Sequence, residues 1–156
     1  MVASMGAPAP AFALEGSDNT DGGKRTYSLD EYRGQPVVLV FYPGDGTAVC
    51  TRQLNAYAED LASFEEAGAQ VLAISPQSVQ SHDEFSCQQG GFGFPLLADT
   101  DKVVGEAYGI VGPLGFYRRS VFVIDSAGVV RYVHRAIAGL TFRSSQDLVE
   151  AVRAAS

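Results

Sequence analysis

Two of the 156 residues are cysteines, Cys50 and Cys87. So low a count excludes a disulfide-dense secreted scaffold. In a reducing compartment it leaves inert packing or redox chemistry. The surroundings of Cys50 speak for the second. Pro36 to Tyr42 (PVVLVFY) is a continuous, Val-rich apolar run, as expected of a strand buried on both faces. Pro43-Gly44-Asp45-Gly46 breaks it. A helix is expected from Cys50 to Gly68, with Leu54, Tyr57, Ala58, Leu61 and Phe64 at helical spacing and Gly68 as its stop. Cys50 then sits in the first turn of a helix, where unpaired N–H groups and the positive end of the dipole favour an anion. A thiolate is the anion on offer, and against an O–O bond it would give a sulfenic acid.

Such an attack leaves a second oxygen with developing negative charge, which needs donors. Thr47, three residues before Cys50, can place its hydroxyl beside the sulfur or cap the helix. Pro43 has a fixed φ and no N–H, which suits a shielding wall. Arg118 and Arg119 precede the apolar run Ser120 to Asp125. If that run is a strand beside the first, a guanidinium at its start reaches the Cys50 turn and offers forked donors to sulfur and peroxide. Spacing alone does not choose between the two arginines. The plainer readings are a buried small Cys50, a capping Thr47 and an arginine in a surface ion pair.

The elements that must position these residues alternate in type. Ala11 to Leu14 and Arg25 to Ser28 flank the turn cluster Gly16 to Gly23 and read as a hairpin. Gln70 to Ser75 (QVLAIS) is a second core strand, stopped by Pro76. Ser78 to Gln88 reads as a helix, followed by a loop with Gly90, Gly91 and Gly93. Val103 to Tyr108 is a short helix. Val121 to Asp125 and Val129 to His134 are two strands joined by a turn, and Ser144 to Ala154 is the last helix, with Ser144 or Ser145 as its cap. The order β-α-β-α-β-β-α is that of a thioredoxin fold: an α/β chain with a central mixed sheet flanked by helices, here with an N-terminal β-hairpin extension. One domain, residues 1–156, is expected.

Composition narrows the partners. The chain is 46% hydrophobic and 19% charged, with a net charge of −7. The acidic balance speaks against nucleic acid and against an anionic membrane surface. The first basic residue is Lys24 and Met1 to Pro10 has no sustained apolar run, so no leader is expected and the location expected is cytoplasmic. Met5 is an alternative start, with Met1 to Ser4 an unstructured lead. Cys50, His82, Cys87 and His134 lack zinc-site spacing, so no metal is expected. His82 is expected on a helix surface or at a cap, and His134 on a strand surface. The acids of residues 16–23 do not follow a calcium-loop pattern. No nucleophile elbow is present, and Gly90-Gly91-Phe92-Gly93 follows a helix, not a strand, so it is no dinucleotide fingerprint. Phe85, Phe92, Phe94, Leu114, Phe116 and Tyr117 form either an apolar collar for alkyl hydroperoxides or ordinary core.

Pro43-Gly44-Asp45-Gly46-Thr47-Ala48-Val49-Cys50, directly after VVLVFY, resembles the peroxiredoxin motif P-x-x-x-T-x-x-C. Ser75-Pro76, Ser81-His82, Phe94 to Asp99, Tyr108-Gly109 and Arg119 to Asp125 extend the likeness to the bacterioferritin comigratory, or Q-type, peroxiredoxins. The resemblance implies a thiol peroxidase for hydrogen peroxide and organic hydroperoxides, with Cys50 peroxidatic and Pro43, Thr47 and Arg119 around it. It selects Arg119 over Arg118, because the family arginine lies three residues before the Phe that is here Phe122. It implies no cofactor.

Many members of that family carry a resolving cysteine five residues after the first; here that position is Asn55. Others carry it on the next helix, and Cys87, 37 residues after Cys50, resembles this second arrangement. A disulfide requires Cα atoms within about 7 Å, so oxidation should unwind the first turn of the Cys50 helix and partly melt the Cys87 helix. The resemblance also implies thioredoxin or a similar dithiol as reductant. Two other readings stand: a one-cysteine peroxidase with an external resolving thiol, and a thioredoxin-like binding or chaperone module without turnover. No obvious dimer arm is visible, so a monomer, or at most a weak dimer, is expected.

Overall fold

The computed structural model describes residues 2–18, 20, 23–136 and 142–155. Its centre is one seven-stranded sheet in the order β2-β1-β5-β4-β3-β6-β7. The strands are β1 (Ala13–Ser17), β2 (Arg25–Ser28), β3 (Val37–Phe41), β4 (Gln70–Ser75), β5 (Leu96–Ala98), β6 (Ser120–Ile124) and β7 (Val130–Arg135). The helices are α1 (Ala48–Glu59), α2 (Leu61–Glu66), α3 (Val79–Gln88), α4 (Val103–Ala107) and α5 (Ser145–Ala154). None of the described helices is long and apolar enough to cross a membrane.

The apolar run VVLVF becomes the middle strand because it has two faces to bury. Every residue of β3 is buried, and successive side chains enter opposite cores. Val38, Val40 and Tyr42 face a core built with Cys50, Leu54, Tyr57, Phe64, Phe85 and Leu148, so α1, α2, α3 and α5 cover that side. Val37, Leu39 and Phe41 face the other core, with Tyr108, Tyr117, Phe122 and Val104. There the rings of Phe41, Tyr108 and Phe122 meet edge-on or tilted at 5.1–5.7 Å, within the range aromatic pairs favour. β3 pairs parallel with β4 and antiparallel with β6, with Phe41 opposite Ser120. That register sets the end of β3 beside the start of β6.

Several elements differ from the sequence reading. The helix expected from Cys50 to Gly68 is two helices, α1 and α2, divided at Asp60. Asp60 leaves helical geometry with φ −101° and ψ 17°, and its carboxylate accepts the Ser145 hydroxyl of α5. A tertiary contact thus ends α1 where the apolar spacing continues. β5 is an additional strand; its three residues are too short to show a period. β1 runs on through Gly16 and Ser17, which the reading placed in the turn, because these two pair with Leu97 and Leu96 of β5. The hairpin is therefore sewn into the main sheet. Of the turn cluster, Asn19, Asp21 and Gly22 lie outside the described residues. The N-terminal lead is not loose from Ala3 onward: Ala3 is buried, donates its N–H to the Ala107 carbonyl and accepts from Arg135. Met1 lies outside the described residues.

The β1–β5 seam depends on a missing side chain. A Cβ on Gly16 would stand 2.5 Å from Leu97 Cδ2 and 2.7 Å from the Leu96 carbonyl oxygen. The backbone oxygen cannot yield as a flexible side chain can. Gly16→Ala is expected to lower stability by about 1–3 kcal/mol, the range for overpacking, seen as a lower urea midpoint with an unchanged slope; an unchanged midpoint would show that the seam relaxes freely.

Candidate active site around Cys50

Thr47 is the N-cap of α1. Its backbone is extended, at φ −74° and ψ 151°, and its Oγ1 accepts the Cys50 N–H at 3.4 Å. The preceding Gly46 has φ +78°, a conformation that strains any residue with a Cβ. The turn thus delivers Cys50 as the third helical residue, among N–H groups with no intrahelical acceptor. The Cys50 side chain is fully buried, while Thr47 is exposed and Pro43 half-buried in the same turn.

The β3–β6 register brings Arg119 to the sulfur. Its guanidinium is buried, and one nitrogen lies 3.3 Å from Cys50 Sγ. The other donates to Gln53 Oε1 at 2.5 Å. Arg118 turns the other way and donates to the Ala136 carbonyl. Gln53 is held in turn: its amide donates to the Tyr57 hydroxyl at 3.2 Å, and that hydroxyl donates to the Arg143 carbonyl at 2.6 Å. Burial pushes the Tyr57 hydroxyl up to about 12, so it remains a donor. Cys50, Gln53 and Tyr57 fall three and four residues apart on one face of α1. Gln53 was not singled out from the sequence. Its signal was a polar residue on the apolar face of the helix, one turn after Cys50.

On the far side of the turn, Asp45 gathers four partners. It accepts from the Tyr42 hydroxyl at 2.6 Å and the Ser81 hydroxyl at 2.7 Å, and its carboxylate lies 2.8 Å from His82 Nδ1. Its own N–H donates to Gln77 Oε1 at 2.8 Å. His82 Nε2 lies 2.9 Å from the Leu97 carbonyl. The ring thus bridges a side-chain carboxylate and a backbone carbonyl, one at each nitrogen. His82, expected on a helix surface or at a cap, is therefore a buried partner of Asp45. Its two nitrogens are committed to Asp45 and Leu97, and no group of His, Cys, Asp and Glu among the described residues could hold a metal ion. His134, expected on a strand surface, is half-buried on β7.

Cys87 lies on α3, exposed, and is not joined to Cys50. The aromatic residues divide. Phe85, Phe92, Phe94 and Tyr117 are buried core, with Phe85 against Phe92 and Phe92 stacked on Phe94. Leu114 and Phe116 are exposed and flank a shallow depression whose wall includes Arg119. Of the expected site residues, the structure thus unites Cys50, Thr47 and Arg119 by contact, sets Pro43 in the same turn, and leaves Cys87 a free, exposed thiol on α3.

Burial pushes the Asp45 carboxyl up, but hydrogen bonds and charge from His82, with the Tyr42 and Ser81 hydroxyls, outweigh it and hold the group below the usual carboxylate range. A carboxyl lowered in the folded state adds stability above its unfolded value, and that stability is lost as pH falls through the folded value. Stability should therefore decline below about pH 4. Asp83 and Asp125 are lowered as well, and Glu31 is drawn down to about 2 by Arg25, so several groups share this decline. Asp45→Asn is expected to lower stability at neutral pH and to make it less dependent on pH in the acid range, as measured by urea unfolding at a series of pH values. An unaltered pH slope would remove Asp45 from the account.

Comparison with known proteins agrees with this geometry. The AhpC/TSA family profile matches residues 5–133. Peroxiredoxin Q, chloroplastic, of Oryza sativa subsp. japonica is 36% identical over 133 residues, which is 84% of this chain and 58% of that protein, so the chain spans little more than half of that relative. Peroxiredoxin-2 of Rattus norvegicus is 36% identical over 138 residues, covering 84% of this chain and 69% of that protein. Among solved structures, the reduced 2-Cys peroxiredoxin of Plasmodium vivax has a TM-score of 0.86 at 26% identity, covering 95% of this chain and 79% of that one. Mycobacterium tuberculosis AhpC has a TM-score of 0.88 at 23% identity, covering 99% and 93%, and shares the fold. The chain belongs to the AhpC/TSA family, and it is a peroxiredoxin with relatives of the Q type.

Proposed function

We propose that this chain is a thiol-dependent peroxidase acting on hydrogen peroxide and organic hydroperoxides. The observation that carries the reading is the Arg119 guanidinium 3.3 Å from Cys50 Sγ, buried with it at the N-terminus of α1. A sulfur anion there has a fixed positive partner with little competing water, where electrostatic interactions are strong. The Cys50 thiolate attacks one peroxide oxygen and forms an S–O bond. The O–O bond breaks, and its electron pair leaves on the second oxygen, which takes a proton and departs as water or an alcohol. Arg119 is placed to donate to that oxygen as charge develops on it. Thr47 is exposed at the head of the same helix, and its hydroxyl, which accepts the Cys50 N–H, keeps its own proton to offer an incoming peroxide. Leu114 and Phe116 offer apolar contact for an alkyl substituent.

The Cys50 sulfenic acid is then attacked by Cys87. An S–S bond forms and water leaves, and an external dithiol of the thioredoxin type returns both thiols by exchange. One curated relative, from Echinococcus granulosus, is described as a thioredoxin peroxidase, which supports that class of reductant. Cys50 is wholly buried in α1 and Cys87 is exposed on α3, so closure requires both local helices to rearrange.

Arg119→Met is expected to slow peroxide reduction by about 10²–10³, the cost of removing a donor aimed at developing charge, measured as single-turnover oxidation of Cys50. A rate within a factor of about three of the parent, well short of that cost, would contradict the role. Cys50→Ser should abolish turnover; continued peroxide consumption would point instead to a binding module. One equivalent of peroxide should lower the intact mass by two hydrogens, and Cys87→Ser should convert that loss into a gain of one oxygen. A gain of oxygen or of a thiol adduct in the parent protein would favour the one-cysteine reading.

A further inference from the structure

The two halves of α3 are held very differently. In the first half, the Ser78 hydroxyl caps the helix by accepting the Ser81 N–H at 3.1 Å. Ser81 and His82 bind Asp45 of the Cys50 turn, and His82 also binds the Leu97 carbonyl of β5. Asp83 accepts the Ser17 hydroxyl of β1 at 2.8 Å and pairs with Lys24. These contacts tie residues 78–83 to the sheet and to the turn that presents Cys50.

The second half has little of this. Phe85 is buried against Phe92, but the Ser86 hydroxyl beside it is buried with no hydrogen-bond partner among the described residues. Cys87 and Gln88 are exposed. The helix ends on Gly90 and Gly91, both at positive φ. The hydrogen bond that crosses from this half to another helix runs from the Asn55 amide to Gln89 Oε1 at 3.0 Å. A buried hydroxyl without a partner opposes the folded arrangement and favours opening.

We propose that the Asp45–His82 contact pins residues 78–83 of α3 to the Cys50 turn, so that within α3 only residues 84–89, which carry Cys87, open during the catalytic cycle. The inference rests on Cys87 as the resolving cysteine. Asp45 and His82 are positioning residues: they touch neither sulfur nor peroxide. They keep residues 78–83 in register with the Cys50 turn while the Cys87 segment unwinds. Removing the imidazole leaves the Asp45 carboxylate and the Leu97 carbonyl each short of a partner, so its loss should be felt on both elements the contact joins.

Amide exchange in the reduced protein reads the pin independently of cysteine chemistry. In the parent protein, the amides of Cys87, Gln88 and Gln89 should exchange at least about tenfold faster than those of His82 and Asp83. His82→Gln should raise exchange at His82 and Asp83 to match, and slow the first oxidation of Cys50 by about tenfold while leaving the disulfide-forming step unslowed. Ser86→Ala removes the orphaned hydroxyl and threatens no fold. It should slow exchange at residues 87–89 and slow disulfide closure about threefold, with Cys50 oxidation unchanged. Uniform exchange along α3 in the parent, or equal slowing of both chemical steps in His82→Gln, would overturn the pin even if the disulfide forms. A graded exchange profile without any disulfide would overturn the Cys87 assignment alone.

Discussion

A guanidinium buried against a sulfur is a costly arrangement unless each group satisfies the other, and much of this structure exists to hold that contact. Arg119 and Cys50 are 69 residues apart in the chain. They meet because Phe41 at the end of β3 pairs with Ser120 at the start of β6, and because the turn after β3 restarts the chain as a helix. The pairing is antiparallel, so the C-terminal end of one strand and the N-terminal end of the other lie at the same edge of the sheet. Two cores, one on each face of β3, fix that register, since a slip of one residue would exchange their side chains.

The contact is oriented by a line of donors and acceptors. Arg119 donates to Gln53, Gln53 to Tyr57, and Tyr57 to the backbone of Arg143. The guanidinium therefore has a fixed direction as well as a fixed position, which is what an electrostatic role demands of it. On the opposite side, Asp45 and His82 tie the same turn to α3 and β5. Cys50 lies between two polar networks that approach from different elements.

The comparison of element with element shows where local pattern stops being informative. The break at Asp60 depends on Ser145, which lies 85 residues away, and no spacing within Cys50 to Gly68 announces it. β5 is three residues long, and its partners, β1 and β4, both lie elsewhere in the chain. His82 looked like a surface or capping residue because its helix is polar over most of its length. It is buried because Asp45 and Leu97 converge on it from a loop and a strand that fold against that helix.

The sequence by itself determined the alternation of strands and helices, the doubly buried centre of the sheet and the placing of Cys50 in a helical first turn, and it offered capping as one of two roles for Thr47. These depend on hydrophobic period, on turn residues and on the chemistry of a helix end, all local properties that a short window of residues carries. It also narrowed the arginine to two neighbours, and likeness to a known motif chose Arg119. Only the tertiary structure decided that Arg118 faces the Ala136 carbonyl while Arg119 faces the sulfur, that Gln53 and Tyr57 hold the guanidinium, and that Asp45 and His82 form a buried pair. The physical reason is the same in each case. A buried polar group is stable only where partners from distant segments satisfy it, and the identity of those partners is a property of the packed fold.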